Sequence, residues 1–146
     1  MALMFRPYSL GDQEICLALF DSNCPEYFAP SERNDYEKFL NSNPPGYEIC
    51  IANGEIVGAF GLIEENVNQS RLDWILLNKN SQGSGIGSMI MSRVLAQARD
   101  TNVAIILITT SHKVYNFFEK FGAIKVSEIE NGLGPELHRV DMALHL

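Results

Sequence analysis

The sequence predicts an α/β chain of the α+β type, one mixed sheet of about seven strands accompanied by four helices. Two observations carry that prediction. Asn53-Gly54 separates two strand-like segments and supplies the positive φ angles of a two-residue hairpin turn, so antiparallel strands are expected at 47–52 and 55–63. Further on, Leu72–Leu77 runs through a glycine-rich turn into a helical repeat at Met89, Ile90, Val94 and Ala98, and then into the continuously apolar Val103–Ile108. A strand covered on both faces reads in that way, and a helix joining two such strands is a crossover that makes them parallel. A hairpin and a crossover in one chain give a mixed sheet.

The remaining elements follow in order. Phe5 to Tyr8 starts a strand, and Ser9-Leu10-Gly11-Asp12 caps a first helix with Ile15, Cys16, Leu19 and Phe20 on one face, ending near Asp21. A loop bracketed by Pro25 and Pro30 follows, because the residue before a proline is driven out of the helical region. Ser31 caps a second helix carrying Tyr36, Phe39 and Leu40 at helical spacing, and Asn43-Pro44-Pro45-Gly46 stops it. Glu64 to Ser70 is polar and reads as a connection. After Ser111 the apolar residues Val114, Phe117, Phe118 and Phe121 recur with the period of a helix, and Gly122 terminates it. Strands near 124–129 and 137–144 complete the chain.

With 146 residues, 46% hydrophobic and 20% charged, the chain is expected to fold as a single domain over 1–146. No apolar run reaches a membrane span and the N-terminus lacks a secretory pattern, so a cytoplasmic location is expected. Cys16, Cys24 and Cys50 are odd in number and lack Cys-x-x-Cys spacing, which points to free thiols. His112, His138 and His145 form no ligand pattern and no metal is inferred. A net charge of −7 argues against nucleic acid as a partner and would draw in a cationic amine.

The segment that carries chemistry is Gln82-Gly83-Ser84-Gly85-Ile86-Gly87-Ser88, between a strand and a helix. Backbone N–H groups at a helix N-terminus converge on an anion, and glycine lets a phosphate approach without meeting a β-carbon. The segment lacks the Gly-Lys-Ser/Thr ending of a P-loop, and its last glycine comes too soon for a dinucleotide fingerprint.

What it matches is Q/R-x-x-G-x-G/A, the pyrophosphate motif of the GNAT N-acetyltransferase superfamily, through Gln82, Gly85 and Gly87. Phe117-Phe118-Glu119-Lys120-Phe121-Gly122-Ala123 resembles the end of another segment of that family, and the order of elements agrees over nearly the whole chain. The resemblance implies a central, mostly antiparallel mixed sheet with helices on both faces, and acetyl-CoA as cosubstrate. It assigns the pantetheine arm to the backbone of Ile75, Leu76 and Leu77, the pyrophosphate to the loop Gly83, Ser84, Gly85, Ile86, Gly87 and Ser88, and a weaker contact to Ser111, where the family has asparagine.

For the base, strand alternation places Asp73 on one face with Arg71 and Ile75, with Glu64 and Glu65 as rivals and an Arg71 ion pair as the plain structural reading. The family's acid, a tyrosine, aligns with Phe118, which cannot donate, and Tyr115 one turn earlier is the candidate substitute. The first two helices line the acceptor site in the family, which brings in Tyr27, Phe28, Glu32 and Tyr36. The reading is acetyl transfer to a primary amine, on a small molecule or a protein, by direct attack. Phe118 and Ser111 depart from the family and motivate a second reading, a non-catalytic acyl-CoA-binding or sensor module of the same fold. An exposed strand edge or the C-terminal hairpin would support a homodimer.

Overall fold

The hairpin at Asn53-Gly54 forms as the turn chemistry requires, with φ angles of 52° and 79° at its two central residues. In the computed structural model, which describes residues 2–146, it joins β2 (Tyr47–Ala52) to β3 (Glu55–Asn66). β3 turns directly into β4 (Gln69–Leu77), so the expected polar connection is mostly strand; Glu64 pairs with Ser70, and Glu65 lies in β3 where the register shifts. The crossover helix α3 (Ile86–Asp100) leads to β5 (Ile105–Ser111), which pairs parallel with β4. β1 (Leu3–Pro7), β6 (Ile124–Gly134) and β7 (Leu137–His145) complete a seven-stranded sheet of order β1-β2-β3-β4-β5-β7-β6, in which only the β4–β5 pairing is parallel.

Helices cover both faces. α1 (Gln13–Ser22) and α2 (Arg33–Asn41) bury Cys16, Leu19, Phe20, Tyr36 and Leu40 against Tyr47, Ile49, Ala59 and Leu76 on one side of the sheet. On the other side, α3 and the short α4 (Tyr115–Glu119) pack Ile86, Ile90, Met91, Val94 and Phe118 against Phe60, Leu72, Ile106 and Met142. Ile15, expected on the buried face of α1, is exposed, and Leu17 fills the core in its place. The start of α2 also differs: a 3-10 turn at Pro30–Glu32 precedes it, and Glu32, not Ser31, caps the segment by accepting the Ala29 N–H at 2.8 Å.

Two buried carboxylates tie helices to strands. Asp12, at the entry to α1, accepts both ends of the Arg6 guanidinium at 2.8 Å and the Ser9 N–H at 3.0 Å; the Arg6 hydrogen bond holds it below the ordinary aspartate range. Glu48 on β2 takes Arg93 at 2.6 Å and Gln97 at 2.8 Å, which fixes α3 across the sheet. Among the described residues no helix is long and apolar enough to cross a membrane.

Candidate active site

The sheet opens where β4 and β5 part. Their ladder ends at Leu72↔Ile108, although β4 continues to Leu77 and β5 to Ser111. Beyond Leu72, β4 stays paired to β3 through Leu76↔Ala59 and Leu77↔Gly58, so its other backbone edge faces an open cleft of about 710 Å³. A strand edge left open by its neighbour is a template for an extended, amide-bearing ligand, although here the Leu77 carbonyl already accepts the Asn23 amide at 2.8 Å.

A bulge creates this divergence. The β3–β4 register slips between Gly61↔Asp73 and Ala59↔Leu76, and Trp74 sits at a φ of 44°, an unusual conformation for a bulky residue. The slip reverses the alternation: Leu72 and Ile75 pack on the α3 side, whereas Trp74 and Leu76 pack on the α1–α2 side. Asp73 therefore shares a face with Arg71 but not with Ile75, which corrects the regular-strand expectation. A buried relay holds the bulge. The Tyr47 hydroxyl donates to the Trp74 carbonyl at 2.7 Å, so its oxygen receives the Tyr36 hydroxyl at 2.8 Å. Gly61 makes the crossing feasible, since a β-carbon there would lie 2.8 Å from the Tyr47 ring.

At the far end of β4 the chain turns into α3 through Gly83 and Gly85, with φ angles of 79° and 87° that only glycine adopts without strain. A β-carbon at either would meet nothing within 4 Å, so both face open space at the helix N-terminus. Gly87 is different: a β-carbon there would lie 3.1 Å from the Phe117 ring, so glycine here permits close packing of α3 against α4. Buried Asn23 joins this loop to the end of β4. Its amide donates to the Leu77 and Leu19 carbonyls, both at 2.8 Å, and accepts from the Gln82 amide at 2.8 Å.

The cleft brings together Asp73, Ile75, Leu76, Leu77, Gln82, Gly83, Gly85, Gly87, Ser88 and Ser111, with Tyr27, Phe28 and Glu32. Ser84 and Ile86 do not line it: the Ser84 hydroxyl bonds the Ser81 carbonyl and Ile86 is core. Ser111 lines it, but its hydroxyl accepts the Lys113 N–H at 3.2 Å within the turn that follows β5.

Four expectations are displaced. Tyr115 lies outside the cleft, its ring against the α3-side core and under the Lys125 ammonium at 4.9 Å, because the helix rotation between it and Phe118 turns it away. Tyr36 is fully buried behind Trp74 at a ring separation of 4.8 Å. Glu65 forms an ion pair with Arg71 at 3.4 Å, and Glu64 borders a separate cleft. Arg71 therefore pairs with Glu65, not with Asp73. Asn23, Trp74, Lys113 and Asn116 also border the cleft without any preceding sequence signal.

Electrostatically, burial pushes the Asp73 carboxyl above its ordinary range against the opposing pull of Arg71, and burial likewise raises Glu32. A carboxylate so desolvated is a stronger proton acceptor than one in water.

The fold, the parted strands and the glycine loop define an acyl-CoA-type transferase scaffold. Residues 16–123 match the model of the acetyltransferase (GNAT) family, and the chain belongs to that family. Enzymes of this family use acetyl-CoA as donor. Ard1 from Thermoplasma volcanium is similar, with 16% identity, a TM-score of 0.83 and coverage of 100% of this chain and 99% of that one. The ribosomal-protein-S18-alanine N-acetyltransferase of Escherichia coli follows at 13% identity and a TM-score of 0.81, over 99% and 94%. The acetyltransferase yncA of Salmonella typhimurium, solved with its cofactor acetyl-CoA, has 12% identity and a TM-score of 0.74, over 100% and 95%. At such identities the likeness is one of fold. No curated protein matches the chain.

Proposed function

We propose that the protein transfers an acetyl group from acetyl-CoA to a primary amine by direct attack. One observation carries the reading: a single cleft joins the open glycine loop, the free edge of β4 and the desolvated carboxylate of Asp73. The residues fit the donor: Gly83, Gly85 and the start of α3 leave room and N–H groups for a diphosphate, and the edge from Ile75 to Leu77 suits the amides of the pantetheine arm. Acetyl-CoA, when bound, supplies an activated acyl thioester.

An alkylammonium with a pKa near 10.4 is neutral in only about one molecule in 10³ at pH 7, a deficit of about 4 to 5 kcal/mol. Asp73 offsets it by accepting the proton, directly or through a water, and the positive φ at Trp74 sets the orientation of the neighbouring backbone. Phe118 provides no proton, so the sulfur leaves as thiolate and takes its proton from water; a thiol pKa near 8.5 makes this a tolerable departure.

The test is a panel of small amines and peptides with free amino groups, incubated with acetyl-CoA and followed by thiol release and product mass. Turnover with any amine supports the proposal. Tight acetyl-CoA binding without turnover on any amine overturns it and leaves the sensor reading that Phe118 motivates.

A further inference from the structure

Asp73 and Glu32 share the cleft, and among the described residues neither carboxylate has an ion-pair partner. Asp73 serves as the proposed base; Glu32 has no part in that chemistry. Its capping bond to the Ala29 N–H uses one oxygen. The other has no hydrogen-bond partner among the described residues, and the side chain is half-buried. A half-buried carboxylate with one oxygen free and open to the cleft is a ready acceptor for a cation delivered by a ligand.

The wall around the two carboxylates is aromatic. Phe28 and Trp74 both line the cleft, with ring centroids 6.2 Å apart and planes inclined by 24°, beside Tyr27. Such faces accept methylenes and attract ammonium groups. Of the cations bordering the cleft, Arg71 bonds Glu65 at 3.4 Å and Thr109 at 3.2 Å and acts on Asp73 only through space, and Lys113 bonds the Glu26 carbonyl at 2.8 Å, so neither forms an ion pair with Asp73 or Glu32.

Resting on the acetyltransferase reading, we infer that the acceptor is an aliphatic amine carrying a second cationic group: the reacting nitrogen lies at Asp73, the distal one at Glu32, and the methylenes between them cross Trp74 and Phe28. Only the nitrogen at Asp73 is acetylated. Its C–N bond forms as the C–S bond breaks, the bonding electrons leave with sulfur, and the nitrogen's protons pass to Asp73 and water. The second nitrogen keeps its charge, so the product is the monoacetylated species. The chain's net charge of −7 favours the approach of such a dication.

The experiment compares 1,4-diaminobutane and 1,5-diaminopentane with n-butylamine and n-pentylamine under saturating acetyl-CoA. The expected result is kcat/KM for the diamines higher by about tenfold or more, a charge-assisted contact of modest size. Glu32→Gln keeps the capping acceptor, as unfolding midpoints will verify, and collapses that preference mainly through KM; Glu32→Asp restores charge and moves the optimum to the longer diamine. Equal treatment of mono- and diamines, or a diamine preference that survives in Glu32→Gln, overturns the inference. If no amine is acetylated, the acetyltransferase reading fails on its own account. Calorimetric titration of 1,5-diaminopentane and n-pentylamine into the CoA-loaded protein then decides the inference: tighter diamine binding lost in Glu32→Gln supports it, and indistinguishable binding overturns it.

Discussion

Removing one oxygen atom, in Tyr47→Phe, tests whether the bulge in β4 is held by the relay beneath it. Tyr47 is 1% exposed, and its hydroxyl receives Tyr36 at 2.8 Å and donates to the Trp74 carbonyl at 2.7 Å. The substitution leaves the buried Tyr36 hydroxyl and the partly buried Trp74 carbonyl each short of a partner. At about 1–3 kcal/mol for each orphaned group, the expected loss is about 2–6 kcal/mol, a large share of the about 5–15 kcal/mol that stabilises a domain. Trp74 also gains freedom to relax from a φ of 44°, a conformation that costs about 1–3 kcal/mol, and Asp73 turns with it. Urea unfolding measures the first effect and kcat at saturating acetyl-CoA the second. Tyr8→Phe is the control: it removes a comparably buried hydroxyl, which donates to the Leu40 carbonyl at 3.2 Å, away from the cleft. Tyr47→Phe should lower both stability and kcat, and Tyr8→Phe stability alone. Loss of less than about 0.5 kcal/mol with kcat unchanged in Tyr47→Phe would refute the relay.

Asp73→Asn should lower kcat about 10²- to 10⁴-fold at pH 7. Because burial raises the Asp73 carboxyl, the wild-type rate should fall as pH drops through that raised value. The variant should lack that limb and recover towards pH 10 as the amine loses its proton unaided; superimposable profiles would remove Asp73 from the chemistry. Gly85→Ala forces a β-carbon into a φ of 87°, at about 1–2 kcal/mol, so acetyl-CoA should bind about tenfold or more weakly by calorimetry; unchanged affinity would move the diphosphate elsewhere. Asp12 is held below its ordinary range by Arg6, so its contribution to stability is present above the unfolded-state pKa and is lost as pH falls through the lower folded value. Asp12→Asn should therefore flatten the acid side of the stability–pH curve, and an unaltered acid limb would refute that assignment.

What could be read from the sequence was what local chemistry decides. Asn53-Gly54 prescribes its turn through the dihedrals of two adjacent residues, and Gly83 and Gly85 mark the open loop for the same reason. The helical period of Val114, Phe117, Phe118 and Phe121 gave the core-facing side of α4 and of the turns at its two ends, yet Tyr115 still had to be placed by rotation and proved to face Lys125. Ile15 and Ser31 were misplaced because a 3-10 turn at each helix entry shifts the phase by a fraction of a turn. Asn23 gave no signal, since its partners Leu77 and Gln82 come from the far end of β4 and the loop that follows.

The bulge at Trp74 explains why the part of the cleft around Asp73 was the least readable. Strand alternation is a local rule, and it fails where a distant group stabilises a departure from it. Tyr47 and Tyr36 come from other elements, and Gly61 on β3 clears the path between them and Trp74. The same slip that reverses the alternation brings Trp74 beside Phe28 and leaves Asp73 on the Arg71 face, bordering the cleft. A regular β4 would put Leu72, Trp74 and Leu76 on one face, and would remove the reversal that now sends Ile75 and Leu77 to the α3 side. On the proposed reading, the irregular residue is what would let one strand serve donor and acceptor, with its free edge turned to the glycine loop and its side chains to the carboxylate end. Restoring regular pairing at Trp74 would be expected to disable both halves of the site together.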